Sequence, residues 1–432
     1  MAKVNKKKCQ VCIGCGRCVN TTDASLQVVT ESFLKQRQVF PSTEPFVLAD
    51  IGTTTIAMEL YDTKGVKVAE YVRPNPQRIF GADVISRIVA AQNPMNAKQM
   101  QSMVKKMLQE GLEMFAQRFS KKQEDKATLL TGMLENEATL RTETLESEEK
   151  PWPAPAEPIA NMYLAANTTM LYLLFGHDTA PLGEAPFRAE YLEAESFDLG
   201  DCTVQVLPGL AAFVGADILA GVLACELQES EEISLLIDLG TNGELVLGNH
   251  EKMYACSTAA GPAFEGMLKA EGQAVWGADV VKCVAALLEE GIMDETGLLK
   301  EPYFAEGISI GGVRLTQEHI RNLQTAKAAI ASGIQILMKQ FGIEAEAVKN
   351  VYLAGGFGYF LDVDAAVKIG LIPKEFRDKT KAVGNSALAG CYAYHANEKV
   401  AEEITRIKKL TRVINLAETE GFAETFVGNM NF

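Results

Sequence analysis

The sequence predicts an α/β protein built as two lobes. The chain has 432 residues, and hydrophobic cores rarely grow past roughly 250–300 residues before a chain divides. Two near-copies of one short unit show where the halves begin. Asp50-Ile51-Gly52-Thr53-Thr54 and Asp238-Leu239-Gly240-Thr241-Asn242 each close an apolar run, and they lie about 190 residues apart. A third glycine turn, Gly355-Gly356-Phe357-Gly358, follows another apolar run.

The elements follow in chain order. Residues 1–44 form a small Cys-rich unit that passes into a polar stretch ending near Pro41 and Pro45. A first lobe is expected over 45–230. Within it, FVLADIGTTTIAMELYD (46–62) reads as strand, glycine turn and strand. Over 97–118, Met100, Met103, Val104, Met107, Leu108, Leu112 and Phe115 recur at spacings that predict an amphipathic helix. Residues 120–158 are polar and net acidic and end in PWPAPAEP, the composition of an exposed insertion. IANMYLAANTTMLYLLFG (159–176) predicts a strand and then a helix. A second lobe is expected over 231–432. ISLLIDLGTNGELVLGN (233–249) repeats the strand–turn–strand unit. Helices are expected over 279–290 and 316–340, and the third glycine turn lies between a strand and a helix. A helix over 385–396 and the segment 400–415 close the chain.

Composition narrows the class of function. Hydrophobic content of 47% and charged content of 22% are those of a globular protein. A formal charge of −15 argues against a general nucleic-acid binder. No run of about 20 apolar residues lacks charge, so no membrane span is expected. The N-terminus has no apolar segment of signal-peptide type, which points to a cytoplasmic protein with reduced or metal-bound cysteines.

The glycine turns suit phosphate chemistry. A phosphate chain needs backbone N–H groups close by and no side chain in the way, and Thr or Asn adds donors. An aspartate at the strand end can hold Mg²⁺ directly or through water. One such turn is weak evidence, because a tight hairpin looks the same. Two matched copies plus the third turn can clamp a nucleotide from both sides. The candidate phosphate cradle is Gly52, Thr53, Thr54, Thr55, Gly240, Thr241, Asn242 and Gly243.

This triple arrangement resembles the duplicated ribonuclease-H-like fold shared by actin, sugar kinases and heat-shock chaperones. In that resemblance Asp50 and Asp238 manage Mg²⁺ and the attacking water, and Gly355, Gly356 and Phe357 face the adenosine of ATP. STAAGPAFEG (257–266) stands where the chaperones place a nucleotide-side stretch, which implies contacts by Gly261 and Glu265. Glu244 and Asp217 are candidates to orient water, against a purely structural role. The resemblance narrows over nearly the whole chain from residue 45. NPQRIFGADVISRI (75–88), ANTTM (166–170), PLGEAPF (181–187), LPGLAAFVGADILAG (207–221), CSTAAGPAFEG (256–266), AGGFGYFLDVDAAVKIGLIP (354–373) and VGNSALAG (383–390) stand in chain order. This run is similar to the ATPase part of the reductive activators of corrinoid proteins. It implies an enzyme that uses ATP to drive an electron onto Co(II) of an inactivated corrinoid protein, restoring Co(I) for methyl transfer. A corrinoid protein and an upstream low-potential electron donor are the implied partners, and a homodimer is left open.

The best-known members of that family carry a plant-type ferredoxin domain at the N-terminus, and this chain departs from them. It has Cys9-x-x-Cys12-x-x-Cys15-x-x-Cys18 instead. Three C-x-x-C steps suit a [4Fe–4S] cluster, with Gly14 and Gly16 letting the chain wrap. A structural zinc site and a [2Fe–2S] cluster remain as alternatives. Lys3, Lys6, Lys7, Lys8 and Arg17 surround the run, and no acid does. Cys202, Cys225, Cys256, Cys283 and Cys391 are expected as buried thiols, and the four histidines show no ligand spacing. Two other functions share parts of this pattern. One is an electron-donating activator of a 2-hydroxyacyl-CoA dehydratase. The other is a non-redox, zinc-containing, ATP-dependent interaction protein.

Overall fold

The computed structural model describes residues 41–136, 159–240, 242–261, 268–270, 273–275, 277–310 and 313–432. The cysteines of the N-terminal run, Thr241 and Glu265 lie outside the described residues.

The first lobe is built on six strands: β1 (Phe46–Ile51), β2 (Thr55–Tyr61), β3 (Lys67–Pro74), β4 (Asn161–Ala166), β5 (Glu195–Leu199) and β6 (Cys202–Val206). Their order is β3-β2-β1-β4-β6-β5. The first three strands form an antiparallel meander, and β4 and β6 add in parallel. The second lobe begins with β7 (Ser234–Leu239), β8 (Gly243–Gly248) and β9 (Met253–Thr258). Two small hairpins follow, β10 (Leu268–Ala270) with β11 (Gln273–Val275), and β12 (Ile308–Ile310) with β13 (Val313–Leu315). β14 (Asn350–Ala354), β15 (Thr380–Gly384) and β16 (Thr411–Val413) complete a sheet ordered β15-β14-β7-β8-β9-β16. A meander, β9-β8-β7, again meets two parallel strands, β14 and β15. The duplication expected from the two D-x-G-T units is therefore a duplication of sheet topology. The lobes differ at their edges: β5 is antiparallel to β6, whereas β16 runs parallel to β9.

Both sheets are buried as expected where helices cover them. In the first, Val47, Leu48, Ala49, Ile56 and Met58 pack with Met100, Val104, Leu108 and Phe115 of the long helix Pro94–Asn136. In the second, Leu235, Ile237, Leu245 and Leu247 pack with the helices Gly277–Glu289 and Gln317–Phe341. The latter starts at Thr316, whose side chain accepts from the His319 amide while His319 Nδ1 accepts from Thr316 N. All five cysteines of the lobes are buried thiols, none of them in a disulfide among the described residues. No helix among the described residues is long and apolar enough to cross a membrane.

Two sequence expectations change. The helix expected over 97–118 continues through Asn136, into the stretch read as an exposed insertion. That stretch is rich in Lys, Gln, Glu, Ala and Leu, which favour helix even without an apolar stripe. The division at residue 230 is also crossed. The helix Ser386–Ala396 follows β15 of the second sheet, yet its Ala387, Leu388, Cys391 and Tyr392 sit in the first core. In return, the helix Ala216–Cys225 sends Ile218, Leu219 and Val222 into a cluster with Leu236, Val246 and Ala354 of the second sheet.

Candidate functional site

The two D-x-G-T turns sit at the ends of β1 and β7. In the first, Gly52 N donates to Thr55 O at 2.9 Å. Buried side chains then hold the turn from behind. Asn75 Nδ2 donates to Gly52 O at 2.8 Å, and Asn75 N to Thr54 O at 2.7 Å. Arg87, fully buried, donates through Nη2 to Thr53 O at 2.6 Å and through Nε to Gly81 O at 3.0 Å. Asn167, which caps the helix Thr168–Phe175, donates to Thr53 Oγ1 at 3.0 Å. In the second turn, Gly240 N donates to Asn242 O at 2.9 Å, and Thr258 Oγ1 holds Gly243 O at 2.9 Å.

The third turn closes against the second. Gly355 has φ +79°, and a Cβ there would lie 2.5 Å from Leu239 O and 2.8 Å from Asp238 Oδ1. Only glycine gives both that dihedral and that approach. Among the described residues, a Cβ on Gly356 would meet nothing within 4 Å, and the same holds at Gly261, which has φ +67°. Phe357, expected on the adenosine side, has its side chain buried in the second core.

Four carboxylates gather between the lobes. Asp50 and Asp238 end β1 and β7, Asp217 lies in the first turn of Ala216–Cys225, and Glu244 pairs across the sheet with Asp238. Burial pushes the Asp50 carboxyl up to about 7, with Asp238 adding repulsion. Burial and the charges of Asp238 and Asp50 raise Asp217 to about 8. Asp238 is raised to about 6 by burial. Glu244 lies well above the usual carboxylate range through burial and the charges of Asp217 and Asp238, although Ser257 Oγ donates to it at 3.3 Å. Buried acids of this kind are relieved by protons or by a cation.

Sequence reasoning singled out these acids but missed what holds them. Asn385 Nδ2 donates to Asp50 Oδ2 at 2.8 Å, and Ser386 Oγ lies 3.4 Å from Asp238 Oδ2. Asn75, Asn167 and Arg87 were missed likewise. Signals existed, since Asn75 and Arg87 lie in NPQRIFGADVISRI and Asn385 in VGNSALAG, but nothing local shows what they touch.

The residues present suit Mg²⁺ bound with a nucleotide. Among the described residues no three His, Cys, Asp or Glu side chains are grouped to cage a metal. Mg²⁺ needs no such cage, because it commonly takes one or two carboxylates, phosphate oxygens and waters. A separate groove of about 790 Å³ beside the helix Gly277–Glu289 includes none of these residues. Its charges pair with each other, as in Lys282–Asp362 at 3.3 Å and Arg377–Asp364 at 2.5 Å.

Comparison with known proteins covers both lobes. A family profile described as the C-terminal domain of RACo, the ASKHA domain, matches residues 232–276 and 269–432. One described as the RACo middle region matches 47–133 and 118–230. The chain is 28% identical over 445 residues to the corrinoid activation enzyme RamQ of Eubacterium limosum, covering 89% of this chain and 69% of that one. It is 25% identical over 239 residues to a Co(II) methylated amine-specific corrinoid protein reductase of Methanosarcina barkeri, covering 43% of each. A solved structure of a reductive activator for corrinoid, iron–sulfur protein aligns with TM-score 0.73 at 27% identity, over 90% of this chain and 66% of that one. This chain thus spans about two thirds of RamQ and of the solved activator, and less than half of the reductase.

Proposed function

We propose that this chain, which belongs to the reductive activators of corrinoid proteins, couples ATP hydrolysis to reduction of an inactivated corrinoid protein. It passes a low-potential electron to Co(II) and returns the cobalt to Co(I) for methyl transfer. The observation that carries the ATP part is the meeting of Asp50 and Asp238, one from each lobe, at the start of a single helix. The glycine turns lie beside them.

In this reading Gly52, Thr53, Thr54, Thr55, Gly240, Thr241, Asn242 and Gly243 cradle the phosphates, and Gly355 and Gly356 line the adenosine side. Asp50 and Asp238 would hold Mg²⁺. The cation supplies charge neutralisation at the phosphoryl oxygens. Glu244 and Asp217 orient the attacking water. Cys9, Cys12, Cys15 and Cys18 hold an iron–sulfur cluster, a reading that rests on the sequence spacing alone.

ATP can make the reduction favourable through binding. A closed state that binds the reduced partner ~10⁴-fold more tightly than the oxidised one moves an equilibrium from 1:99 to 99:1. At ~59 mV per decade for one electron, that is roughly 240 mV.

The test is anaerobic reconstitution followed by a Co(II)-to-Co(I) absorbance assay with candidate corrinoid proteins. Co(I) is expected only when reductant and ATP are both present. Reduction at the same rate without ATP sinks the coupling. Zinc in place of about four irons in the reconstituted protein sinks the electron path.

A further inference from the structure

We infer that Asn385 and Ser386 are positioning residues of the nucleotide site, holding the strand-end aspartates of both lobes from the start of one helix. The inference rests on the nucleotide reading above and adds residues that reading does not contain.

Asn385 uses both ends of its amide. Its Oδ1 accepts from Leu388 N at 2.8 Å and caps the helix Ser386–Ala396. That bond sets the amide orientation, so Nδ2 is the group presented to Asp50, at 2.8 Å. One residue on, Ser386 is buried and its Oγ lies 3.4 Å from Asp238 Oδ2. Hydrogen bonds run from one helix start to both carboxylates.

The helix itself cannot easily shift. A Cβ on Gly390 would lie 2.1 Å from Ala220 O, so this helix lies directly on Ala216–Cys225. A Cβ on Gly221 would lie 2.9 Å from Leu236 Cδ2 and 3.0 Å from Ser386 Oγ. Ala216–Cys225 carries Asp217 in its first turn. The two packed helices therefore set three of the four acids. A carboxylate that gives one oxygen to a cation, or to its water, needs its other oxygen held. Loss of such a supporting bond typically costs 10–100-fold in affinity or activity.

The test uses the full chain and separates the cap from the aspartate bond. Asn385→Ser keeps a good capping oxygen and is too short to reach Asp50. Asn385→Ala loses both. For Asn385→Ser the thermal unfolding midpoint is expected to stay with the wild type, whereas Asn385→Ala lowers it. In Asn385→Ser, kcat for Mg²⁺-ATP hydrolysis is expected to fall 10–100-fold, with KM for ATP changed less than about threefold. A second readout needs no nucleotide. Hydrogen exchange at Gly52 N in the nucleotide-free chain should quicken about tenfold, because the strand end has lost a fixed neighbour. Wild-type kcat and wild-type Gly52 exchange in Asn385→Ser would overturn the positioning role alone. A wild-type chain that fails to bind ATP overturns the nucleotide reading and this inference with it.

Discussion

The two strand–turn–strand units share a sequence pattern and differ in what surrounds them. Four residues, 52–55, join Ile51 to Ile56, whereas three, 240–242, join Leu239 to Gly243. Opposite Asp50 across its sheet stands Ala57, and opposite Asp238 stands Glu244. The first turn is held from behind by Asn75, Arg87 and Asn167. The second has the third glycine turn laid against it and an extra acid facing it. Duplication gave each lobe a glycine turn, and divergence gave the two turns different surroundings. In the proposed function the first is a fixed shelf for phosphate. The second lies beside Asp238 and Glu244.

If that division is right, substitutions on the second side cost most. Asp238→Ala should abolish ATP-dependent reduction, by about 10³-fold or more, while leaving the spectrum of a reconstituted cluster intact. Cobalt reduction followed by absorbance reads the first, and an iron–sulfur spectrum of the same sample reads the second. Glu244→Gln removes the titratable carboxyl and keeps the shape. Its kcat for ATP hydrolysis should fall about 10²-fold, the usual worth of a positioned acid–base group. Wild-type hydrolysis in Glu244→Gln would make the glutamate structural and remove the asymmetry between the turns.

On the first side the expected loss is of structure. Arg87→Met is close in volume but leaves the Thr53 and Gly81 carbonyls without their guanidinium donor. It should lower stability by about 2–4 kcal/mol, read by denaturant unfolding of the first lobe. A matching loss of catalysis at full folding would show that the shelf is chemical after all.

How much of this was legible in the sequence depends on how far apart the partners lie. Apolar runs ending in Asp and Gly located β1, β7 and both turns, because strand and turn chemistry is local. Three- and four-residue spacing located the helices Gly277–Glu289 and Gln317–Phe341 for the same reason. The missed residues act at long range: Asn385 and Asp50 are 335 positions apart, and Asn167 and Thr53 are 114. An Asn before a helix reads as a cap, and Asn385 is one; its second bond exists only once the lobes are assembled. The burial of Phe357 was not legible either, because a glycine turn does not say which flanking side chain turns inward. The helix exchange between lobes was hidden too, since Ala, Gly and Leu suit either core. Cys9, Cys12, Cys15 and Cys18 remain a sequence reading, outside the described residues.

The finest probe of the acid cluster is a pH dependence. Asp50, Asp217 and Asp238 are raised from an ordinary 3.8 to about 7, 8 and 6. A carboxyl raised by folding binds more protons folded than unfolded. Its folded state is therefore favoured at low pH and loses stability as pH climbs from about 4 to 8. The chain stripped of nucleotide and divalent cation should be less stable at pH 8 than at pH 5. The coupled acids should account for several kcal/mol of that difference, up to about 8 kcal/mol with all three shifts in full. Other groups titrate in the same range, so the wild type is compared with Asp217→Asn. That variant removes the highest of the three values and one of the charges that raise Glu244. Its stability should fall less steeply over pH 5–8 in denaturant titrations, and saturating Mg²⁺-ATP should flatten the wild-type slope toward it. Parallel slopes for the two proteins would mean that Asp217 stands outside the shared field, and the second side of the cleft would then act through Asp238 and Glu244 alone.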